Sequence, residues 1–317
     1  MKSRRFHVRG KFVQQIHIRK RKKGTVGFIG LGVMGSPMAT RLLESGYPLI
    51  VNDLVLSKVK ALTKKGAKYA ETPKEVTEKS EIIISVLPTP EIIEDVVFQK
   101  NGIFQGIGPQ KIYVDMSTSS LGLTRRVHKA IKAKGARMLD APVSGGEQGA
   151  ISGRLSIMVG GDRKTFEECK QLFACLGEKA HYIGKAGSGL TMKLVNNLLY
   201  SIIMCGTAEV LTLGRKLGLD LEMMVDVLGT SSASSYVLSE KVKQFIIPDN
   251  YVPGASIDII IKDLDLASEI ARPAGVPLIL SSLSRQLYQV AKNCGLGNQD
   301  ISAVIKLFEG GMTIKSR

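Results

Sequence analysis

Residues 25–53 read "TVGFIGLGVMGSPMATRLLESGYPLIVND", and the fold turns on how this stretch is read. "VGFI" is an apolar run of strand length. Gly30, Gly32 and Gly35 follow it in G-x-G-x-x-G spacing, and "SPMATRLLESG" then carries helical spacing to a stop at Gly46. "YPLIVND" is a second apolar strand and ends on Asp53, 18 residues after Gly35.

The three glycines have separate physical tasks. Gly30 permits a tight turn, Gly32 lets the backbone approach a pyrophosphate, and Gly35 lets helix and strand pack closely. The helix start then faces the phosphates with its unpaired N–H groups. The strand, loop, helix and second strand therefore predict a dinucleotide site formed by Gly30, Gly32, Val33, Met34 and Gly35. Asp53 stands where a carboxylate accepts hydrogen bonds from both hydroxyls of the adenosine ribose. Leu54 beside it offers no cation for a 2′-phosphate, so the expected cofactor is NAD in preference to NADP, with NADP use still open.

Outward from this unit the alternation continues. "EIIISVLP", "KIYVDMS" and "ARMLDAPV" read as further strands separated by helical spacing, which predicts a parallel sheet covered on both faces. After "HYIGKAGSGLT" the texture becomes helical: 190–218, "LEMMVDVLGTS", "SSYVLSEKVKQFI", "IDIIIKDLDLASEIARPAG" and a last pair over about 277–309. The expected organisation is a basic extension over 1–23, a Rossmann-type parallel-sheet domain over 24–188, and an all-α domain over 189–317. A long interdomain helix joins the last two.

The formal net charge of +16 would suit a nucleic-acid binder if it were spread along the chain. Ten Lys and Arg and no acid lie in residues 1–23, which leaves +6 for the other 294 residues. Nucleic acid is therefore not the expected partner of the folded part. The arm reads as a disordered extension, with an organellar transit peptide as the second reading. Cys169, Cys175, Cys205 and Cys294 show no paired spacing and are expected reduced. With no h-region after the basic start, the expectation is a cytoplasmic protein, or a mitochondrial-matrix one if the arm is a transit peptide.

"KLVNNLLY" at 193–200 opens a mostly apolar run of about twenty residues. Lys193, Asn196, Asn197, Glu209 and Arg215 punctuate it, which argues against a membrane span. A core helix with one polar edge is the expectation, buried on most sides. Lys193 and Asn197 are four apart and share a helix face, so an ammonium and an amide can converge on one oxygen, whereas Asn196 is expected to point elsewhere.

Four motifs in order then carry a resemblance: "GFIGLGVMGSPMA" at 27–39, "DAPVSGGEQGAISGRLSIMVGG" at 140–161, "GSGLTMKLVNN" at 187–197 and "KDLDLA" at 262–267. With them the sequence resembles the β-hydroxyacid dehydrogenase family from Thr25 to about Glu309. The resemblance implies hydride transfer between a small 3-hydroxy acid and a nicotinamide cofactor. Lys193 would be the acid and base, Ser144, Gly145 and Gly146 would hold the substrate carboxylate, and Asn197 would position substrate. It places Leu87, Pro88, Thr118 and Lys262 on the cofactor side. It also implies subunit contacts through the long helix, hence a homodimer or homotetramer.

The chemistry is physically consistent. Alcohol oxidation needs a base for the hydroxyl proton, and a desolvated lysine with lowered basicity suits that task and can return the proton in reduction. "VSGGEQG" offers backbone N–H groups for a carboxylate without an arginine. Asp263 and Asp265 alone do not make a metal site, and none is expected.

Three positions depart from the family pattern: Arg154 stands where many relatives have Thr, Ala255 where they have an aromatic residue, and "TSSASSY" at 230–236 lacks a Gly-Arg pair. A small residue at 255 would leave room for a larger substrate. Two other classes are weighed against the enzyme: a catalytically silent relative that binds a partner through the basic arm, and an imine reductase. Lys193 argues against both. Hydrolase and nucleotide-hydrolysing motifs are missing from the sequence, and His128 and His181 read as isolated packing or surface residues.

Overall fold

The structure is a computed structural model that describes residues 23–310. The predicted basic extension over 1–23 lies, apart from Lys23, outside the described residues.

Nine strands form one sheet: β1 (Val26–Ile29), β2 (Leu49–Asn52), β3 (Lys68–Tyr69), β4 (Ile82–Ser85), β5 (Ile112–Asp115), β6 (Arg137–Asp140), β7 (Val143–Ser144), β8 (Leu155–Gly161) and β9 (Gly177–Gly184). Their order is β3-β2-β1-β4-β5-β6-β8-β7, with β9 paired to β8. Strands β1 to β6 run parallel to one another, as the strand-helix alternation predicts. Helices α1 (Gly35–Glu44), α2 (Leu56–Thr63), α3 (Pro73–Glu78), α4 (Pro90–Phe98), α5 (Ile103–Gly106), α6 (Leu121–Ala133), α7 (Gly146–Ser152) and α8 (Arg163–Leu176) belong to this half.

The strands are apolar on both faces because both are covered. Phe28, Ile84 and Val114 enter a layer with Met38 and Leu42 of α1, while their neighbours Ile29, Ile83 and Tyr113 enter the opposite layer with Val97 of α4 and Val127 of α6. Period-two alternation in a sheet buried on both sides thus reads in sequence as a continuous apolar run.

The sheet is not parallel throughout. β8 runs antiparallel to both β6 and β7, and β9 then adds parallel to β8. The cause is the connection: after β7 only the short helix α7 intervenes before Gly153, in the left-handed region at φ 69°, turns the chain back alongside. The strand order reverses beside β1, which lies between β2 and β4, and that reversal opens a crevice at the carboxyl ends of these strands.

The second half is helical: α9 (Ser188–Lys216), α10 (Leu221–Thr230), a wide π-helical segment over Val237–Ile246, α11 (Ile257–Ala271) and α12 (Ile279–Ala291). Their shared core includes Met204, Ala208 and Leu211 of α9 with Ile257, Ile260 and Tyr288. Helix α9 is by length and composition apolar enough to cross a membrane, yet Leu190, Leu194, Met204 and Leu211 are buried within this chain. It is not buried on most sides. Val195, Leu199, Val210 and Leu213 are exposed, so one apolar stripe stays open in the single chain.

Candidate active site

The carboxyl ends of β1, β2, β4 and β5 deliver Gly30, Asp53, the Val86–Pro88 turn and Met116–Thr118 to one cleft of about 1770 Å³. From the other side α9 and α11 deliver Lys193, Asn197, Lys262 and Asp263, and the β7–α7 corner delivers Ser144, Gly145 and Gly146. Every residue assigned to the site from sequence lines this cleft.

The glycine loop fits a dinucleotide. A Cβ on Gly35 would sit 1.9 Å from the Gly30 carbonyl oxygen, so only glycine lets α1 pack this closely on the loop. A Cβ on Gly32 would meet nothing within 4 Å, so this is the face where backbone is bare toward the cleft. Helix α1 has no side-chain cap at Met34; Ser36 N donates to Gly32 O at 3.1 Å and Pro37 has no N–H, which leaves the Gly35 N–H of the first turn for a ligand. Asp53 is fixed at both oxygens: Leu31 N donates to Oδ2 at 2.6 Å and Val55 N to Oδ1 at 2.7 Å. Leu54 beside it is 99% exposed, and Lys58 of α2 lines the same cleft.

Helix α9 is placed by backbone contact. A Cβ on Gly189 would lie 2.3 Å from the Met158 carbonyl oxygen and 2.5 Å from that of Asp140, so the helix start lies directly on β6 and β8. Asp140, almost wholly buried, accepts from Gly187 N at 2.8 Å and Leu190 N at 3.0 Å, and so satisfies orphan donors of the first turn. His128 Nε2 stands 3.0 Å from the same carboxylate, which gives this histidine a place beneath the site instead of the isolated one its sequence context suggests.

Lys193 projects from the second turn of α9. Among the described residues no carboxylate lies within ion-pair distance of its amine. Burial pushes its pKa below the ordinary lysine value; the Asp263 charge partly opposes this and the Lys262 charge adds to it. Asn197, one turn on, is buried and donates Nδ2 to Asp263 Oδ2 at 2.6 Å. Asn196 does not point elsewhere as expected. Its Nδ2 donates to Asn197 Oδ1 at 3.0 Å, so the two neighbours are joined and both line the cleft. Long amide side chains can bend around the helix to meet, which a Cβ-direction argument does not capture.

Lys262 spans the two halves: Nζ donates to Pro88 O and Thr118 O, each at 3.0 Å, and pairs with Asp263 Oδ1 at 3.1 Å. Asp265 is turned away, held by Arg285 at 2.9 and 3.1 Å. Gly145 and Gly146 both have positive φ, 131° and 61°, and present the start of α7 to the cleft beside Ser144. Arg154 and Ala255 line the same cavity.

Sequence reasoning missed Asp140, the grip of Asp263 on Asn197, and a buried pair at the far end of the cleft, Lys241 with Asp300 at 2.7 Å. Only the "KD" pair at 262–263 offered a signal, because an acid beside a site lysine is a candidate for orienting it.

Comparison with known proteins agrees with this geometry. Residues 25–184 match the family model of the NAD binding domain of 6-phosphogluconate dehydrogenase, and residues 187–308 that of the NAD-binding domain of NADP-dependent 3-hydroxyisobutyrate dehydrogenase. The chain is 38% identical over 284 residues to 2-(hydroxymethyl)glutarate dehydrogenase of Eubacterium barkeri, covering 90% of this chain and 94% of that protein. It is 35% identical over 290 residues to NAD-dependent L-serine dehydrogenase of Pseudomonas aeruginosa, covering 90% and 97%. Among solved structures, 3-hydroxyisobutyrate dehydrogenase from Salmonella typhimurium superposes with a TM-score of 0.81 at 29% identity, covering 90% of this chain and 99% of that one. Matches of this kind, on both halves and over 90% of the chain, place it in the β-hydroxyacid dehydrogenase family, with NAD or NADP as its cofactor.

Proposed function

We propose that this protein interconverts a small 3-hydroxy acid and its semialdehyde, with NAD preferred over NADP and Lys193 as general acid and base. The observation that carries the reading is the Lys193 amine. The residue is half-buried, desolvation lowers its basicity, it has no ion-pair partner among the described residues, and it shares a cleft with a glycine loop suited to a dinucleotide.

When bound along the Gly30–Gly35 loop, the nicotinamide cofactor supplies the acceptor for hydride from the alcohol carbon. The neutral Lys193 amine takes the hydroxyl proton in oxidation, and the ammonium returns it to the carbonyl oxygen in reduction. Asn197, fixed between Asn196 and Asp263, holds the oxygen on which that proton moves. Ser144 and the N–H groups at Gly145 and Gly146 hold the substrate carboxylate, and the α7 start favours its negative charge. Lys262 holds the cofactor-side turns at Pro88 and Thr118 against α11. Asp53, pre-oriented by two backbone donors, takes the ribose hydroxyls and repels a 2′-phosphate. The exposed apolar stripe of α9 supports a homo-oligomer in which a second copy covers it.

NADH formation by the full chain and by Lys193→Ala tests the reading against 3-hydroxyisobutyrate, L-serine, D-glycerate, 2-(hydroxymethyl)glutarate and 4-hydroxybutyrate. Turnover of a 3-hydroxy acid is expected, with a loss of about 10²–10⁴-fold in the variant while NADH still binds. Cofactor binding without turnover of any acid or semialdehyde rejects it.

A further inference from the structure

Beyond Asn197, the next polar residue of α9 that lines the cleft is Tyr200, and around it stands a group of donors that the proposed chemistry does not use. Tyr200 and Tyr236 pack edge to face with centroids 6.3 Å apart, and both line the cleft. Lys241, only 6% exposed, lines the same wall with its amine 4.2 Å from the Phe245 ring centroid. Among the described residues the two phenol hydroxyls have no hydrogen-bond partner, and Lys241 has no acceptor other than Asp300. An ammonium carries three donors; Asp300 takes one and the Phe245 ring lies beside the amine, so a donor remains for a ligand in the cleft that Lys241 lines.

Asp300 does not need the whole of that cation. Gly254 N and Ala255 N donate to its Oδ2 at 3.2 and 3.1 Å, and Ser302 donates to Oδ1 through N at 3.1 Å and Oγ at 2.8 Å. Four further donors already disperse the carboxylate charge. Glu240 is the other acid on this wall, but it is exposed and screened by solvent, while Lys241 is not. Lys241 is buried, Tyr200 is half-buried and Tyr236 is 53% exposed, so the hydroxyls meet solvent in the cleft and all three groups can donate to an anionic ligand group there.

The Phe245 ring backs the Lys241 amine on one side; on another, a Cβ on Gly254 would lie 3.7 Å from the amine and the next residue is only Ala255, so small residues border it there. Lys193 and Tyr200 are seven residues apart, about 10 Å along the helix axis. Both line the cleft, so a short aliphatic chain with a polar group at each end can lie along this stretch of α9.

We infer that Lys241, with the hydroxyls of Tyr200 and Tyr236, forms a second anion subsite that selects 3-hydroxy acids bearing a second carboxylate. The inference rests on the dehydrogenase reading above and narrows its substrate to dicarboxylic 3-hydroxy acids of about five carbons.

The test is calorimetric binding of glutarate and of butyrate to the NADH-saturated full chain, repeated on Lys241→Met and Tyr236→Phe. Glutarate is expected to bind at least tenfold more tightly than butyrate, and that ratio is expected to fall below threefold in Lys241→Met. Because Lys241→Met removes a buried partner of Asp300, its melting temperature is checked first. Should it fail to fold, Tyr236→Phe decides: a ratio reduced threefold or more supports the subsite, and an unchanged ratio overturns it. Glutarate that binds no better than butyrate, or a preference that survives in a folded Lys241→Met, also overturns it. The two readings fail separately. A Lys241-dependent glutarate preference without turnover of any 3-hydroxy acid removes the dehydrogenase reading alone, while turnover of 3-hydroxyisobutyrate without that preference removes the subsite alone.

Discussion

Asn197 on α9 donates to Asp263 Oδ2 on α11 at 2.6 Å, and the same aspartate faces Lys262 through Oδ1 at 3.1 Å. One buried carboxylate therefore orients an amide, pairs with a lysine, and raises the basicity of the Lys193 amine against the effect of burial.

That arrangement gives Asp263→Asn a signed pH effect. With Lys193 as the proposed base, oxidation would use its neutral amine and the rate would rise with pH through the Lys193 pKa, which lies below the ordinary value of 10.5. Removing the Asp263 charge removes a contribution that raises this pKa. The rising limb of kcat for oxidation is expected to move to lower pH in Asp263→Asn, as measured by NADH formation across pH. A shift upward would show that Asp263 does not act on the amine in this way.

On the proposed reading, in which one carboxylate both holds the ribose hydroxyls and repels a 2′-phosphate, Asp53→Ser is expected to raise KM for NAD by about tenfold and to lower that for NADP. Steady-state kinetics with the two cofactors at fixed substrate would read this out. Equal changes for both cofactors would mean that Asp53 serves only the loop at Leu31 and Val55.

Two glycine substitutions in one loop should separate folding from binding. Gly35→Ala places a methyl 1.9 Å from the Gly30 carbonyl oxygen and is expected to cost about 1–3 kcal/mol of stability as the helix shifts. Gly32→Ala meets no atom within 4 Å, so its melting temperature should stay close to that of the parent. Its NADH dissociation constant should nevertheless rise about tenfold, because the methyl occupies the pyrophosphate approach. Fluorescence titration with NADH and thermal melts of both variants provide the check.

Asp140→Ala should weaken the base of the site. It leaves the Gly187 and Leu190 N–H groups unpaired in a buried place and removes the partner of His128. A loss of about 3 kcal/mol in urea unfolding is expected, together with lower activity as the start of α9 loosens. Unchanged stability would mean that water replaces the carboxylate.

The first strand, the glycine loop, α1 and Asp53 were legible because each follows from local spacing. The same is true of Lys193 and Asn197, whose separation alone puts them on one helix face. Strands β7 to β9 were not legible as a set: Val143–Ser144 is two residues long, and the antiparallel partner of β6 is fixed by a turn at Gly153 whose direction no local pattern states. The acids were harder still. Asp140, Asp263 and Asp300 act on residues 47, 66 and 59 positions away, and only tertiary contact makes those pairs. Asn196 failed for the opposite reason, since its backbone direction was readable and the bend of its side chain was not.

Lys262 leaves a mechanical consequence. Its ammonium belongs to the helical half, yet two of its hydrogen bonds end on carbonyl oxygens of the sheet half, at the turns that line the cofactor crevice. The two halves cannot spread apart without stripping those bonds and stranding a half-desolvated cation beside Asp263. Any opening of the cofactor crevice that separates the halves must first break this clasp, so cofactor exchange by that route would be timed by its release.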